Sequence, residues 1–182
     1  MRGAAVVVSS VVVLCVVSLT SSMALGQSPT SGQIKVWVTL PVTSSGNTPD
    51  PIVITGVIGD HGTTISVNSK GKSDANGNFE RVRLSKGKFT VNGAALNQAL
   101  NNAAPSDFDT ATCSGSFSAG PDSVPIVNGS GTGAYAGISG SVAVSAQFAF
   151  VGPKSKNGSC NMRANPIAGF GIITGSGTIS IP

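Results

Sequence analysis

Charged residues are scarce in this chain of 182 residues: they make up 10% of it, as eleven Lys or Arg and seven Asp or Glu. So little charge excludes an acidic or basic disordered tail and a coiled coil, because both are rich in charged side chains. The formal net charge of +4 is too small to indicate nucleic-acid binding by itself. The composition therefore predicts a globular protein without a nucleic-acid partner.

Histidine is limited to His61. One histidine supports neither a histidine-based metal site nor a catalytic triad. A calcium loop beginning at Asp74 is also unsupported, because Phe79 stands where its turn glycine is needed and Ser85 where a glutamate should close it. We therefore assign no catalytic residue, no metal and no cofactor, and we favour a protein that is not an enzyme.

The amino terminus has the pattern of a secretory signal peptide. Arg2 precedes an apolar run of about 14 residues over 4–17, and small residues follow up to Gly26. An uncleaved membrane anchor is the alternative, but a span needs about 20 apolar residues. We predict cleavage after Gly26 and export to the cell envelope or beyond, with no stable membrane anchor left on residues 27–182.

Two cysteines, Cys113 and Cys160, lie beyond this leader. An even number of cysteines in an exported chain indicates a disulfide, so we predict that these two are bonded. A catalytic thiol is the alternative, but the one histidine lies far away in sequence.

Apolar and polar residues alternate with a period of two over much of the chain, which is typical of strands with one buried face. In the first of these segments Ile34, Val36 and Val38 alternate with Lys35 and Trp37. Ala and Leu spacing instead predicts a short helix within 92–103. Strands are predicted at 34–40, 52–58, 63–67, 79–84, 88–91, 110–118, 138–151 and 167–181.

Eight strands, one helix and frequent glycine turns predict an all-β sandwich or barrel. Glycines inside strands favour the barrel, because a closing sheet must bend at its corners. For the same reason the last strand is expected to bend or divide near Gly175. The predicted fold is an eight-stranded antiparallel β-barrel with one short helix, in a single domain over 27–182.

Two segments resemble plant allene oxide cyclases. Residues 59–67 read Gly-Asp-His-Gly-Thr-Thr-Ile-Ser-Val, similar to the family segment in which Gly-Asp-x-Gly opens a strand ending in Ser-Val. Residues 128–142 contain a glycine-rich turn, an aromatic residue and a Gly-x-x-Gly-x-Val strand entry, again in the family's order. Related dirigent proteins carry a comparable Gly-x-Gly-x-aromatic turn. The whole chain also resembles small secreted bacterial proteins of unknown function with this barrel-like domain.

The resemblance implies a β-barrel that holds a small hydrophobic molecule in its interior. In the plant enzymes a buried glutamate steers cyclisation of a fatty-acid epoxide, but the one glutamate of this chain, Glu80, lies in a basic segment, and we transfer no catalytic role to it. We predict a secreted protein that binds a small hydrophobic ligand. Its expected ligand contacts are Trp37, Asp60, His61 and Tyr135.

Three points stay open. An eight-stranded barrel either holds one small ligand or fills its interior with side chains; few bulky aromatics favour a pocket, whereas abundant Val and Ile favour filling. His61 is either an acid or base at the mouth of a pocket or a turn residue whose neighbour Asp60 accepts a backbone hydrogen bond. The oligomeric state is not indicated.

Two other functions are consistent with the sequence. One is an allene oxide cyclase-like isomerase acting in the same cavity. The other is a structural or surface-interaction protein with a filled barrel, suggested by a basic segment over 70–88. Arg81 and Arg83 share one strand face there, and they either meet an anionic surface or protect a sheet edge from pairing with another chain. The basic residues of the segment are Lys70, Lys72, Arg81, Arg83, Lys86 and Lys88.

Overall fold

A computed structural model describes residues 30–41 and 48–182. These residues form one antiparallel sheet of nine strands and one short helix, which confirms the predicted all-β class. The elements are β1 (Thr30–Pro41), β2 (Asp50–Gly56), β3 (Asp60–Val67), β4 (Phe79–Leu84), β5 (Gly87–Asn92), α1 (Ala94–Asn102), β6 (Ser114–Pro125), β7 (Thr132–Gly133), β8 (Ser139–Val151) and β9 (Ala168–Ile181).

Neighbouring strands are ordered β6-β8-β9-β1-β2-β3-β4-β5-β7 across the sheet. The end strands β6 and β7 do not pair with each other, so the hydrogen-bonded ladder of the described residues is open. One isolated bridge joins Val91 of β5 to Ile126, just after β6. Beside it the N–H of Val127 donates to the carbonyl oxygen of Thr90 at 2.9 Å. A closed eight-stranded barrel is therefore not established by the strand pairing.

One hydrophobic core lies against the inward faces of the strands. Ile34 and Val38 on β1 and Ile52 on β2 are at most 5% exposed, whereas Lys35 and Trp37 of β1 face outward. This is the expected period of two, because successive side chains of a strand point to opposite faces. The same core includes Phe89 of β5 and Val124 of β6, which lie towards opposite ends of the strand order.

Most strands lie within a few residues of their predicted bounds, but two differences have clear causes. A ninth strand is present because Thr132–Gly133, inside the glycine-rich turn, pairs with β5. The strand predicted at 110–118 begins only at Ser114. Residues before it form a turn in which the carboxylate of Asp109 accepts a hydrogen bond from the N–H of Ala111 at 2.7 Å, and such turns compete with strand pairing.

β9 continues unbroken through Gly175 and pairs with β1 and β8 on either side, so the expected division there is not found. Glycine in this strand serves close packing. Gly171 lies opposite Phe148 of β8, and a Cβ atom at Gly171 would lie 2.4 Å from that ring. The missing side chain therefore admits an aromatic ring against the backbone.

Helix α1 confirms the predicted helical segment and follows β5 almost directly. The side-chain oxygen of Asn92 accepts a hydrogen bond from the N–H of Ala94 at 3.1 Å, which satisfies a free donor of the first turn. Leu96 is buried and the helix packs against β6. No helix within the described ranges combines the length and apolar character needed to cross a bilayer.

Cys113 and Cys160 form the predicted disulfide, with Cα atoms 5.4 Å apart. The bond ties the start of β6 to the loop between β8 and β9. The carbonyl oxygen of Cys113 also accepts a hydrogen bond from the N–H of Gly152 at 2.7 Å. A disulfide-bonded all-β domain is compatible with an extracellular location. The predicted signal peptide at 1–26 lies outside the described residues.

Candidate functional site

The inward face of the sheet and one face of α1 surround a cavity of about 230 Å³. Every strand except β7 contributes to its wall, so the Val and Ile side chains leave a space between them rather than filling the interior. The wall is largely apolar. Its apolar side chains are those of Ile34, Val36, Val38, Leu40, Ile52, Ile54, Val82, Phe89, Val91, Leu96, Leu100, Val124, Ile126, Val142, Val144 and Ile173.

Four polar residues form one area of this wall, here called the carboxyl cluster: Asp50, Thr64, Ser66 and Glu80. Strand register brings them together. Asp50 is the Cα partner of Thr64 between β2 and β3, and Ser66 is the partner of Glu80 between β3 and β4. Asn97 of α1 also lines the cavity. A ligand in the cavity would therefore meet hydrogen-bonding groups on a limited part of its surface.

Two hydroxyl groups hold the Glu80 side chain in place. The Ser66 hydroxyl donates to Oε1 at 2.5 Å, and the Thr64 hydroxyl donates to Oε2 at 3.2 Å. Within the described ranges the Asp50 carboxyl has neither a hydrogen bond nor an ion pair. The cluster therefore contains one carboxyl group with fixed oxygens and one whose oxygens are available.

Burial raises the pKa of Glu80 above its ordinary value; the hydroxyls of Ser66 and Thr64 oppose this shift, and the negative charge of Asp50 adds to it. Burial also raises the pKa of Asp50. Among the described residues, no Lys, Arg or His lines the cavity. The two carboxyl groups therefore share a mainly apolar space without a positive counter-charge, which disfavours their ionised forms.

Replacing Glu80 with Gln should raise the free energy of unfolding at neutral pH, and the gain should shrink towards about pH 4. The folded protein holds the Glu80 proton more tightly than the unfolded chain does. The unsubstituted protein therefore loses stability as the pH rises from the ordinary Glu pKa of about 4.3 through the raised folded value. Urea unfolding of both proteins across this pH range measures the difference.

The control for this measurement is Asp107→Asn. Hydrogen bonds from the side chain and the N–H of Ser116 hold the pKa of Asp107 below its ordinary value, so this variant should lose stability at neutral pH. An equal response of the two variants would contradict the buried environment of Glu80.

Two of the predicted site residues lie together, but neither is among the residues that line the cavity. Asp60 and Tyr135 are 7% and 3% exposed, and the Tyr135 hydroxyl donates to Asp60 Oδ2 at 2.5 Å. The Ser85 hydroxyl donates to Oδ1 at 2.5 Å, and the N–H groups of His61 and Lys86 donate at 2.8 and 3.2 Å. Asp60 thus links β3 to the β4–β5 turn and to the glycine-rich turn that follows β6.

These contacts set the charge state of both side chains. Burial alone would raise the pKa of Asp60, but the hydrogen bonds from Ser85, Tyr135, His61 and Lys86 outweigh it and hold that pKa well below its usual range. Burial and the bond to Asp60 raise the pKa of Tyr135. Asp60 is therefore an ionised carboxylate whose oxygens accept several hydrogen bonds, and Tyr135 is a neutral phenol. This arrangement indicates a structural role for the pair.

The other two predicted site residues face outward. Trp37 is 40% exposed because it is one position out of phase with Val36 and Val38, which line the cavity. The His61 side chain is 80% exposed. Its backbone N–H donates to Asp60, so His61 has the turn arrangement that was the alternative to an acid–base role.

Sequence reasoning did not select Asp50 and Glu80 as site residues, although a signal was available. Glu80 precedes Val82 by two positions, and Asp50 precedes Ile52 by two. In a strand such pairs share a face, so each carboxyl lies on the face of a buried aliphatic residue. The basic neighbours of Glu80 obscured this, because they suggested a solvated segment.

The basic face of β4 does not protect a sheet edge. Arg81 and Arg83 lie on a strand that pairs with β3 on one side and β5 on the other. The edge interpretation of this segment is therefore wrong.

No group of three or more His, Cys, Asp or Glu among residues 30–41 and 48–182 is arranged to hold a metal ion.

Comparisons with protein-family models, curated proteins and solved structures found no match to this chain.

Proposed function

We propose that this protein binds one small, mainly apolar molecule in the cavity between the sheet and α1. The observation that carries the proposal is the apolar wall interrupted at one place by the carboxyl cluster, since binding pockets combine an apolar lining with few polar groups. The volume of about 230 Å³ lies between the roughly 150 Å³ that admits benzene and the roughly 300–1,000 Å³ of drug-sized sites. The expected ligand has one ring or a short chain.

The proposal includes curvature of the sheet into a barrel of the allene oxide cyclase and dirigent type. Support comes from the bridge between Val91 and Ile126, which joins β5 to the segment after β6. Further support comes from Phe89 and Val124, which belong to one core although their strands lie far apart in the order. The proposed relationship to those families is based on the sequence resemblance of segments 59–67 and 128–142.

We also propose that the protein acts outside the cytoplasm. The disulfide between Cys113 and Cys160 suits an oxidising compartment, and the leader-like amino terminus supports export. Mass spectrometry of protein recovered from its own host should find a chain beginning at Gln27.

Val38→Phe should abolish binding of an apolar fluorescent probe, because Val38 lines the cavity and a phenyl ring would occupy it. Since the ring enters existing space, the free energy of unfolding should change by less than the roughly 1–3 kcal/mol that overpacking of a filled core costs. Val53→Phe is the matched control, because Val53 lies on the outward face of the adjacent strand and is 47% exposed. Fluorescence titration and urea unfolding measure the two effects.

Equal probe binding by the two variants would contradict a site in the cavity. Native mass spectrometry of protein from its own host gives an independent result, since a bound molecule should copurify with the unsubstituted protein and be absent from Val38→Phe. Absence of both a copurified molecule and a probe site would overturn the proposal.

An isomerase acting in the same cavity is the second candidate function. Glu80 favours it, because a carboxyl group with a raised pKa inside a mainly apolar cavity suits general acid–base catalysis. Turnover of a short allene oxide without a carboxylate group, lost in Glu80→Gln, is the expected result. Turnover that persists in Glu80→Gln, or no turnover at all, would contradict this second function.

A further inference from the structure

The polar part of the cavity wall is acidic. Asp50 and Glu80 both line the cavity, and the part of the chain that the structure describes contributes no basic side chain to the lining. Asp50 is the Cα partner of Thr64, and the Thr64 hydroxyl donates to Glu80 Oε2 at 3.2 Å, so the two carboxyl groups lie on the same part of the wall. Burying carboxylates without a counter-charge is unfavourable. A guest that carries a positive charge would offset this cost, whereas a neutral guest would not.

We propose that the guest is a small apolar amine, with its ammonium group between the carboxylates of Asp50 and Glu80 and its hydrocarbon part against the aliphatic wall. This inference rests on the proposed function and narrows the ligand from apolar molecules in general to those with a positive head group.

The hydrogen-bonding capacity of the carboxyl cluster fits an ammonium group. A primary ammonium has three donors, and each carboxylate oxygen has about two acceptor positions. The hydroxyls of Ser66 and Thr64 use one position on each oxygen of Glu80. The Asp50 oxygens accept no hydrogen bond from the described residues. Enough acceptor positions therefore remain for all three donors.

The same chemistry excludes a fatty-acid anion. A carboxylate head in this cavity would place a third acidic group beside Asp50 and Glu80, and no Lys, Arg or His within residues 30–41 and 48–182 lies in the wall to balance it. Like charges at close range in a low-dielectric space repel strongly. The cavity therefore selects against the head group carried by the fatty-acid derivatives of the plant enzymes.

Three compounds with the same eight-carbon chain test the head group: octylamine, octan-1-ol and octanoate. Calorimetry at neutral pH, below micelle-forming concentrations, should find octylamine bound about tenfold or more tightly than octan-1-ol, as expected for charge-assisted hydrogen bonds. Octanoate should bind more weakly than octan-1-ol. The net charge of +4 would favour octanoate at the protein surface, so this order cannot arise from non-specific attraction.

The double variant Asp50→Asn, Glu80→Gln should lose the preference for octylamine over octan-1-ol. Asp107→Asn is the matched control, because it removes one carboxylate outside the cavity lining and should keep the preference. If the double variant does not fold, the single variant Asp50→Asn takes its place. The Asp50 side chain makes no hydrogen bond to another described residue, so this variant should fold, and it should lose most of the preference for octylamine.

The outcomes separate the inference from the proposed function. Binding of octan-1-ol without preference for octylamine, or a preference that persists in the double variant, would overturn the amine proposal and leave the cavity as an apolar site. Binding of none of the three compounds would overturn the proposed function itself.

Discussion

Replacing Asp60 with Ala should lower the free energy of unfolding by about 3–4 kcal/mol. The carboxylate of Asp60 accepts hydrogen bonds from Tyr135, Ser85, His61 and Lys86. Truncation removes all of them at once and leaves the buried Tyr135 hydroxyl without an acceptor. Tyr135→Phe deletes one bond only and should cost about 1–2 kcal/mol. Urea unfolding measures both changes, and the double variant gives their coupling.

The Asp60 contribution should also disappear in acid. Because the folded pKa lies below the ordinary value of about 3.9, the stabilisation is complete above that value and is lost as the pH falls through the folded pKa. The unsubstituted protein should therefore approach Asp60→Asn in stability only below about pH 4. A constant difference across this range would contradict an ionised, hydrogen-bonded Asp60.

Removing the disulfide should lower the free energy of unfolding by about 4 kcal/mol in the chain-entropy model, given a separation of 47 residues between Cys113 and Cys160. The expected variant is Cys113→Ala with Cys160→Ala, because Cys113 is fully buried and a serine there would bury a hydroxyl. Urea unfolding of the double variant should match that of the reduced protein.

The double variant supplies its own control, since a reducing agent should leave its unfolding curve unchanged. Binding of the apolar probe should survive, because neither cysteine lines the cavity. Free thiols in protein recovered from its own host, or loss of less than about 1 kcal/mol, would contradict the stabilising role of this bond.

Sequence alone predicted the strands best where one face is buried along the whole strand. In β1 and β8 the alternation of aliphatic and polar residues is local, so it can be read without knowing the neighbours. The start of β6 could not be placed in this way. Its position depends on the Asp109 turn and on the disulfide to residue 160, and both are tertiary features.

The candidate site was harder to predict than the strands. The resemblance singled out Asp60 and Tyr135, which lie 75 positions apart and do meet, but they bind each other rather than line the cavity. Conversely, Glu80 was visible as an inward residue of its strand. What the sequence could not indicate is which strands face one another across the interior, and hence how much space their side chains leave.

Helix α1 gives the cavity one wall that differs in kind from the others. The strands are held by backbone hydrogen bonds to their neighbours. Helix α1 is held instead by side-chain packing, with Leu96 as its one buried residue, and by a hydrogen bond from the Asn97 side chain to the carbonyl oxygen of Gly77 at 3.1 Å. Local opening requires least energy where few buried contacts must be broken. We therefore expect a guest to enter and leave the cavity when this helix undocks from the sheet. Residues on the packed face of α1 would then set the rate of exchange, whereas the carboxyl cluster would determine which guest binds.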